Sequence, residues 1–155
     1  MADRPLRSLW VLHGVNLDML GSRDPSVYGT LTLPDLERLV AERGAELGFE
    51  VQCMQTNHEG QLVEKLHELA LAGADAVIIN PGAWTHYSYA IRDALELVRA
   101  PIAEVHLSDV DRREEWRRTS VIADLATVRV AGKGADGYIE AVDALAAALD
   151  AREEA

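Results

Sequence analysis

Polar side chains follow four short apolar runs of this chain, each at the point where the run ends. They are Asn16, the cluster Asn57-His58-Glu59, Asn80 with His86, and His106 with Ser108. Histidine exchanges protons near neutral pH, and amide groups can hold an oxyanion. A single histidine in such a place more often has a capping or turn role, but the repetition after four runs favours a common site.

The sequence lacks clear motifs for nucleophilic serine chemistry, for phosphate binding and for dinucleotide binding. The chain contains no Gly-x-Ser-x-Gly nucleophile turn and no Gly-x-x-x-x-Gly-Lys-Ser/Thr phosphate loop. The run GKGADG at 132–137 is a weak match to a dinucleotide loop and is more typical of a turn. Histidine, tyrosine, arginine and asparagine remain, and they suit proton transfer beside a bound carboxylate.

The segment from Gly21 to Gly29 has neither a helical nor a strand period, and it carries Arg23 and Tyr28. It follows the first apolar run, Leu9 to Leu12. A polar loop after a buried strand is a natural lid for a site at the strand's end. The alternative is an ordinary connection with a surface arginine and tyrosine.

The elements that must position these groups alternate along the chain. Apolar runs predict five strands, and helical periodicity between them predicts parallel βαβ units with right-handed crossovers. We therefore expect an α/β protein with a flavodoxin-like, doubly wound, five-stranded parallel sheet in three α/β/α layers. The predicted strands are 9–12, 49–55, 76–79, 102–107 and 127–130, and the predicted helices are 33–47, 61–71, 88–98, 112–118 and 138–149.

The charge and the cysteine content of the chain limit the ligands that it is expected to bind. The chain has 155 residues and a formal net charge of −11, from 15 Lys+Arg against 26 Asp+Glu. This charge argues against general nucleic-acid binding, and an anionic substrate would need local arginines set against the overall field. One cysteine, Cys53, allows no internal disulfide and no Cys/His zinc motif, so it is expected in the core of a cytoplasmic protein.

The chain is expected to form one domain over 1–155, with frayed termini at 1–7 and 150–155. No apolar run approaches the ~20 residues that span a membrane, and the N-terminus MADRPLR lacks a hydrophobic signal core. We therefore expect no membrane contact.

Four stretches of the chain resemble the type II dehydroquinases, the 3-dehydroquinate dehydratases of the shikimate and quinate pathways. They read GVNLDMLGSRDPSVYG, QTNHEG, INPGAWTHYSYAIRDAL and EVHLSDVDRREEWRRTS, and the resemblance runs from about Leu9 to Leu145. It implies a flavodoxin-like fold, no metal or organic cofactor, and a homo-oligomer, a dodecamer built from trimers.

The resemblance also implies catalytic roles. Tyr28 would remove the C2 proton of 3-dehydroquinate. A free phenol ionises only near pH ~10, so a cation must favour the phenolate, and Arg23 is the first candidate. Asn16 would stabilise the enolate at C3, directly or through a water. His106 would protonate the departing C1 hydroxyl, with Glu104 orienting it.

The remaining roles concern substrate binding. The backbone N–H groups of Leu107 and Ser108 would hold the carboxylate, and Asp93 from a neighbouring subunit would complete the site. Three further residues, Asn80, His86 and Arg117, would bind the ring hydroxyls, and Arg113 is a second cation beside the base.

Each role has a plainer alternative. Tyr28 could be a packing residue, His86 a helix cap and Asp93 a surface acid. Arg113 and Arg117 could form a solvated charged face with Glu114 and Glu115.

Some positions depart from the family's usual pattern. His13 and Val15 stand where Asn and Pro are usual, Asp24 replaces a Glu, and Trp84 is larger than the common residue. Asp111 and Thr119 stand where histidines are frequent. Because these changes surround the expected pocket, a paralogue that dehydrates a modified dehydroquinate is one alternative. A non-catalytic binding protein on the same fold is another, against which the retention of Tyr28, Arg23 and His106 argues.

Overall fold

A five-stranded, all-parallel sheet forms the centre of the protein. The computed structural model describes residues 3–28 and 30–155, and of Tyr28 only the backbone. The strand order is β2-β1-β3-β4-β5, which confirms the predicted doubly wound, flavodoxin-like sheet. The strands are β1 (Arg7–His13), β2 (Phe49–Gln55), β3 (Ala76–Asn80), β4 (Ile102–His106) and β5 (Val128–Ala131).

Helices cover both faces of the sheet. They are α1 (Pro25–Tyr28), α2 (Leu33–Glu46), α3 (Glu59–Ala72), α4 (Tyr89–Leu95) and α5 (Ala135–Glu154). Two hydrophobic clusters separate these layers: α2 and α5 pack on one face and α3 and α4 on the other. The three-layer prediction is therefore confirmed. Within the described part of the chain, no helix combines the length and the apolar character needed to cross a membrane.

The inner strands are mostly apolar because both of their faces are covered, and their buried polar residues, Asn80, Glu104 and His106, belong to the site at the carboxyl edge. All five residues of β3 and all five of β4 are buried. Side chains alternate between the faces, so Val11 and Ile78 contact the α2/α5 layer while Leu12 and Ile79 contact the α3/α4 layer. The sequence predicted these strands from their continuous apolar runs.

Helix α2 begins as its sequence predicts. The Thr32 hydroxyl accepts a hydrogen bond from the Asp35 N–H, and the Asp35 carboxylate accepts one from the Thr32 N–H, which forms a capping box. Pro34 lies in the first turn, where its missing N–H costs nothing. Gly44 faces the sheet at a point where a Cβ would lie 2.4 Å from Val51 Cγ2.

Several predicted boundaries were wrong. Helix α5 starts at Ala135, within the predicted glycine-rich loop, and continues through Glu154. The C-terminus was predicted to fray from 150, but Asp150 and Glu153 pair with Arg7, which itself begins β1. The helix that was predicted over 88–98 is shorter in the structure, where it is α4 (Tyr89–Leu95).

Short helical segments replace other predictions. The predicted helix 112–118 is two 3₁₀ turns, and the predicted lid contains α1. The 3₁₀ turns of the chain are Leu17–Met19, Gly82–His86, Val110–Arg112, Glu115–Arg118 and Ala123–Leu125.

Candidate active site

A pocket opens at the carboxyl ends of β1, β3 and β4, where parallel doubly wound sheets bind their ligands. The predicted site residues that line it are Asn16, Arg23, Asn80, His86, His106, Leu107, Ser108, Arg113 and Arg117. Apolar walls come from Val15, Leu17, Leu20, Ala83 and Val110. The fold thus brings nine predicted residues, from three strand ends and two loops, to one cavity.

Asn16 has an unusual backbone conformation. Its φ of 69° lies in the left-handed region, and it is the only non-glycine residue of the described chain with a positive φ. Its N–H donates a 2.8 Å hydrogen bond to Asn57 Oδ1, and Asn57 Nδ2 donates to Asp18. Asn57 therefore positions the Asn16 loop, although the sequence suggested that the whole Asn57 cluster would face the ligand.

The loops after β1 and β3 approach each other closely. A Cβ on Gly14 would lie 2.3 Å from the Pro81 carbonyl oxygen, and one on Gly82, whose φ is +65°, would lie 2.6 Å from the Val15 oxygen. Only glycine fits at these two positions. Their close packing fixes the floor of the pocket.

His106 is held by a buried carboxylate. Its Nε2–H donates to Glu104 Oε2 over 2.6 Å, because a carboxylate can only accept. Glu104 is fully buried and also accepts from the hydroxyls of Thr85, at 2.8 Å, and Ser120, at 2.9 Å. Arg129 approaches its other oxygen at 3.4 Å.

These hydrogen bonds and the neighbouring charges keep the Glu104 carboxylate ionised. Burial by itself would raise the pKa of Glu104, but the hydrogen bonds from His106, Thr85 and Ser120, together with the charge of His106, outweigh burial and lower it. A carboxylate fixed at Nε2 leaves Nδ1 as the ring nitrogen for a ligand.

His86 lies beside His106. Their rings stack with centroids 6.4 Å apart, and Trp116 meets the His86 ring edge-on at 5.2 Å. The Nδ1–H of His86 donates to the Thr119 carbonyl over 2.6 Å. Partial burial lowers the pKa of His86 despite that bond, so the ring is neutral at neutral pH and offers Nε2 as an acceptor.

Arginines give the pocket a positive wall in a protein of net charge −11. Arg117 donates to Glu114 over 2.5 Å and stacks on Trp116, 4.1 Å from the ring centroid. Arg113 reaches Ser108 Oγ at 3.4 Å and lies 3.9 Å from Glu114. Both arginines therefore line the pocket, and both also lie close to Glu114, as the alternative of a charged face predicted.

Asn80 is both a lining and a supporting residue. Its Nδ2 donates to the Tyr138 hydroxyl over 3.1 Å, and its Oδ1 accepts from the Gly82 N–H. Each side-chain group keeps one further hydrogen-bonding position. Asn80 therefore joins the sheet, helix α5 and the pocket floor.

Two predicted residues are not placed in the pocket. The backbone of Tyr28 ends α1, but its side chain lies outside the described residues. Asp93 is exposed on α4 and does not line the cavity of its own chain, and its role in a neighbouring subunit's site stays a prediction.

Sequence reasoning missed the hydroxyls of Thr85 and Ser120, which complete the environment of Glu104. It also missed Trp116, on which both His86 and Arg117 pack. No spacing rule marks these residues, because the segments that carry them meet only in the folded chain.

The fold and the pocket define a class: a doubly wound α/β enzyme with a carboxylate-held histidine and an arginine-lined cavity at the carboxyl edge of its sheet. The chain belongs to the dehydroquinase class II family, whose sequence profile matches residues 7–146.

Individual relatives agree with this. A protein from Pelobacter propionicus named 3-dehydroquinate dehydratase is 50% identical over 149 residues, covering 96% of this chain and all of its own. A protein of the same name from Syntrophotalea carbinolica is 53% identical, and the match covers 86% of this chain and 90% of that protein. The crystal structure of a type II dehydroquinase from Propionibacterium acnes superposes with a TM-score of 0.88 at 41% identity, covering 94% of this chain and 99% of that one.

Proposed function

We propose that this protein is a 3-dehydroquinate dehydratase, a hydro-lyase that converts 3-dehydroquinate to 3-dehydroshikimate and water. Family membership and the names of its relatives support this activity. The observation that carries it on the chain itself is the buried Glu104–His106 pair, which opens on a cavity walled by arginines. The reaction serves the shikimate pathway or quinate catabolism, which share this step.

The charge of the pocket suits the substrate. 3-Dehydroquinate is a carboxylate with several ring hydroxyls. We assign the carboxylate to the backbone N–H groups of Leu107 and Ser108, which line the pocket beside Arg113. The hydroxyls fall to Asn80, His86 and Arg117, which offer donors and acceptors on the same wall.

The first step removes a proton from C2. We assign the base to Tyr28 as phenolate, with Arg23, which lines the pocket from the same loop, stabilising the negative charge. The electrons of the C–H bond move to the C3 carbonyl and give an enolate. Asn16, held in its left-handed conformation by Asn57, is positioned to stabilise the enolate oxygen directly or through a water.

The second step expels the hydroxyl from C1. The enolate re-forms the carbonyl, the C1–O bond breaks, and His106 donates a proton so that water leaves. The Glu104 carboxylate stabilises the imidazolium that donates it and fixes the ring through Nε2. A base and an acid on opposite faces of the ring give an anti elimination.

We further propose that the active protein is a dodecamer built from trimers, in which Asp93 of one subunit reaches the site of the next. Exposed aromatic side chains support an interface there: Tyr89 is 68% and Tyr87 58% exposed. Tyr89 and Asp93 are four residues apart on α4 and so share a face. Light scattering of the purified protein measures the assembly, and a monomer with full activity would refute the role of Asp93.

The positions that depart from the family pattern favour the unmodified substrate. Trp84 is 6% exposed and packs in the α3/α4 cluster, and His13 is buried on the α2/α5 side of the sheet. Of these, only Val15 lines the cavity. The alternative of a modified dehydroquinate therefore has little support from the pocket walls.

The test is turnover of 3-dehydroquinate in chelator-treated buffer, followed by the ultraviolet absorbance of the conjugated product. We expect full activity without added metal or cofactor. Turnover of an analogue but not of dehydroquinate would select the paralogue, and turnover of neither would select a binding protein.

A tyrosine variant tests the base. Tyr28→Phe should lower kcat far more than it changes KM, because it removes an interaction made in the transition state. Near wild-type kcat in Tyr28→Phe would remove Tyr28 from its assigned role.

A further inference from the structure

Three side chains with metal-binding atoms meet on the α2/α5 side of the sheet, and none of them lines the pocket. They are His13 at the end of β1, Cys53 on β2 and Glu37 on α2. Their imidazole nitrogen, sulfur and carboxylate oxygen all lie within 4.8 Å of one another. The register that pairs Val11 with Cys53 and His13 with Gln55 turns both side chains to the same face of the sheet, where α2 presents Glu37.

His13 is the unusual member of this group. Its side chain is completely buried, and among the described residues neither Nδ1 nor Nε2 has a hydrogen-bond partner. Glu37 Oε1 lies 4.0 Å from Nε2. A buried polar group without a partner is costly, so such a group in a native protein calls for an explanation.

We propose that His13, Cys53 and Glu37 form a binding site for one divalent transition-metal ion, of which Zn²⁺ is the best match. Zinc binds imidazole nitrogen, thiolate sulfur and carboxylate oxygen in one tetrahedral shell, whereas Mg²⁺ and Ca²⁺ prefer oxygen ligands alone. The metal satisfies the lone pair of His13 that the protein leaves unused.

The geometry needs only a small adjustment. Zinc–ligand bonds of about 2.0–2.3 Å place tetrahedral ligand atoms about 3.3–3.8 Å apart, so the donors must close by about 1 Å. Glu37 is able to make this movement because its side chain is one-third exposed and lies on a helix surface. The same opening admits the ion and a water as the fourth ligand.

This site was not predicted from the sequence. Residues 13, 37 and 53 follow no spacing motif for zinc, and a single cysteine argued against metal binding. The arrangement arises because β1 and β2 are adjacent and α2 crosses over them. The inference is independent of the dehydratase proposal, since none of the three residues lines the pocket.

The test uses Co²⁺ as a spectroscopic substitute for zinc. The full-length protein, stripped with a chelator and kept reduced, is titrated with Co²⁺ alone. We expect one equivalent per chain, a thiolate-to-cobalt charge-transfer band, and displacement of that band by Zn²⁺. Absence of saturable binding to folded wild-type protein would overturn the site.

Variants separate this site from adventitious binding. Cys53→Ser should abolish the charge-transfer band, and Glu37→Gln and His13→Asn should each weaken Co²⁺ binding at least about tenfold. His67→Asn, at an exposed histidine on α3, is the matched control and should bind like wild type. Unchanged binding by Cys53→Ser, with native circular dichroism, would refute the proposal even if His13→Asn failed to fold.

Discussion

The buried imidazole of His13 should make the stability of this protein depend on pH between about 4 and about 6.5. Burial lowers the pKa of His13 to about 4, against about 6.5 in an unfolded chain. Between these values the unfolded chain binds more protons than the native one. Stability is therefore complete above the unfolded pKa and is lost as the pH falls.

The size of the effect follows from that difference. The full separation of the two pKa values corresponds to about 3 kcal/mol, and linkage places about 2 kcal/mol of the loss between pH 7 and pH 5. Glu104, whose pKa is also lowered, loses its contribution below its unfolded value of about 4.3. The pKa of His86 is also lowered by partial burial, so His86 contributes to the loss over this range, and only the comparison with a His13 variant isolates the contribution of His13.

The assay is urea unfolding at pH 7 and pH 5 in chelator-treated buffer, so that no metal holds His13. Wild type should lose about 2 kcal/mol more than His13→Asn over this range, because the variant has no group to protonate there. His67→Asn is the control and should behave as wild type, since an exposed histidine is already solvated. Equal losses in wild type and His13→Asn would refute the argument that burial destabilises the charged ring.

Three further substitutions test particular contacts. Glu104→Gln should lower kcat about 10- to 100-fold and alter its pH profile with little change in KM, because it removes the charge that stabilises the His106 imidazolium. Gly14→Ala should cost about 1–3 kcal/mol in urea unfolding, because the new Cβ meets the facing carbonyl, whereas Gly60→Ala on α3, with nothing within 4 Å, should stabilise the protein. Thr32→Ala should cost about 1 kcal/mol through the lost cap of α2.

Each of these has a result that would contradict it. A Glu104→Gln enzyme with wild-type kcat and pH profile would mean that the carboxylate does not act through the histidine. Equal unfolding free energies for the two glycine variants would mean that the loops after β1 and β3 are free to separate. An unchanged midpoint in Thr32→Ala would mean that the capping box contributes nothing.

The sequence determined the order and kind of the main elements. Continuous apolar runs can be buried only as inner strands of a sheet covered on both sides, and the helical stretches between them require parallel connections. It also placed Asn16, Asn80 and His106 at strand ends, because polar groups after buried strands must reach the sheet's edge. The start of α2 after Thr32 was also determined by the sequence, because a capping box needs only residues that are close together in the chain.

The tertiary structure decided what no local pattern records. The carboxylate of Glu104 collects partners from residues 85, 106, 120 and 129, and these segments meet only when the strands are ordered. The last turns of α5 contact Arg7 at the other end of the chain through Asp150 and Glu153. The group of His13, Glu37 and Cys53 likewise exists only because β1 lies beside β2 under α2. Short-range periodicity fixes backbone elements, whereas charge, burial and metal-binding capacity depend on which distant residues become neighbours.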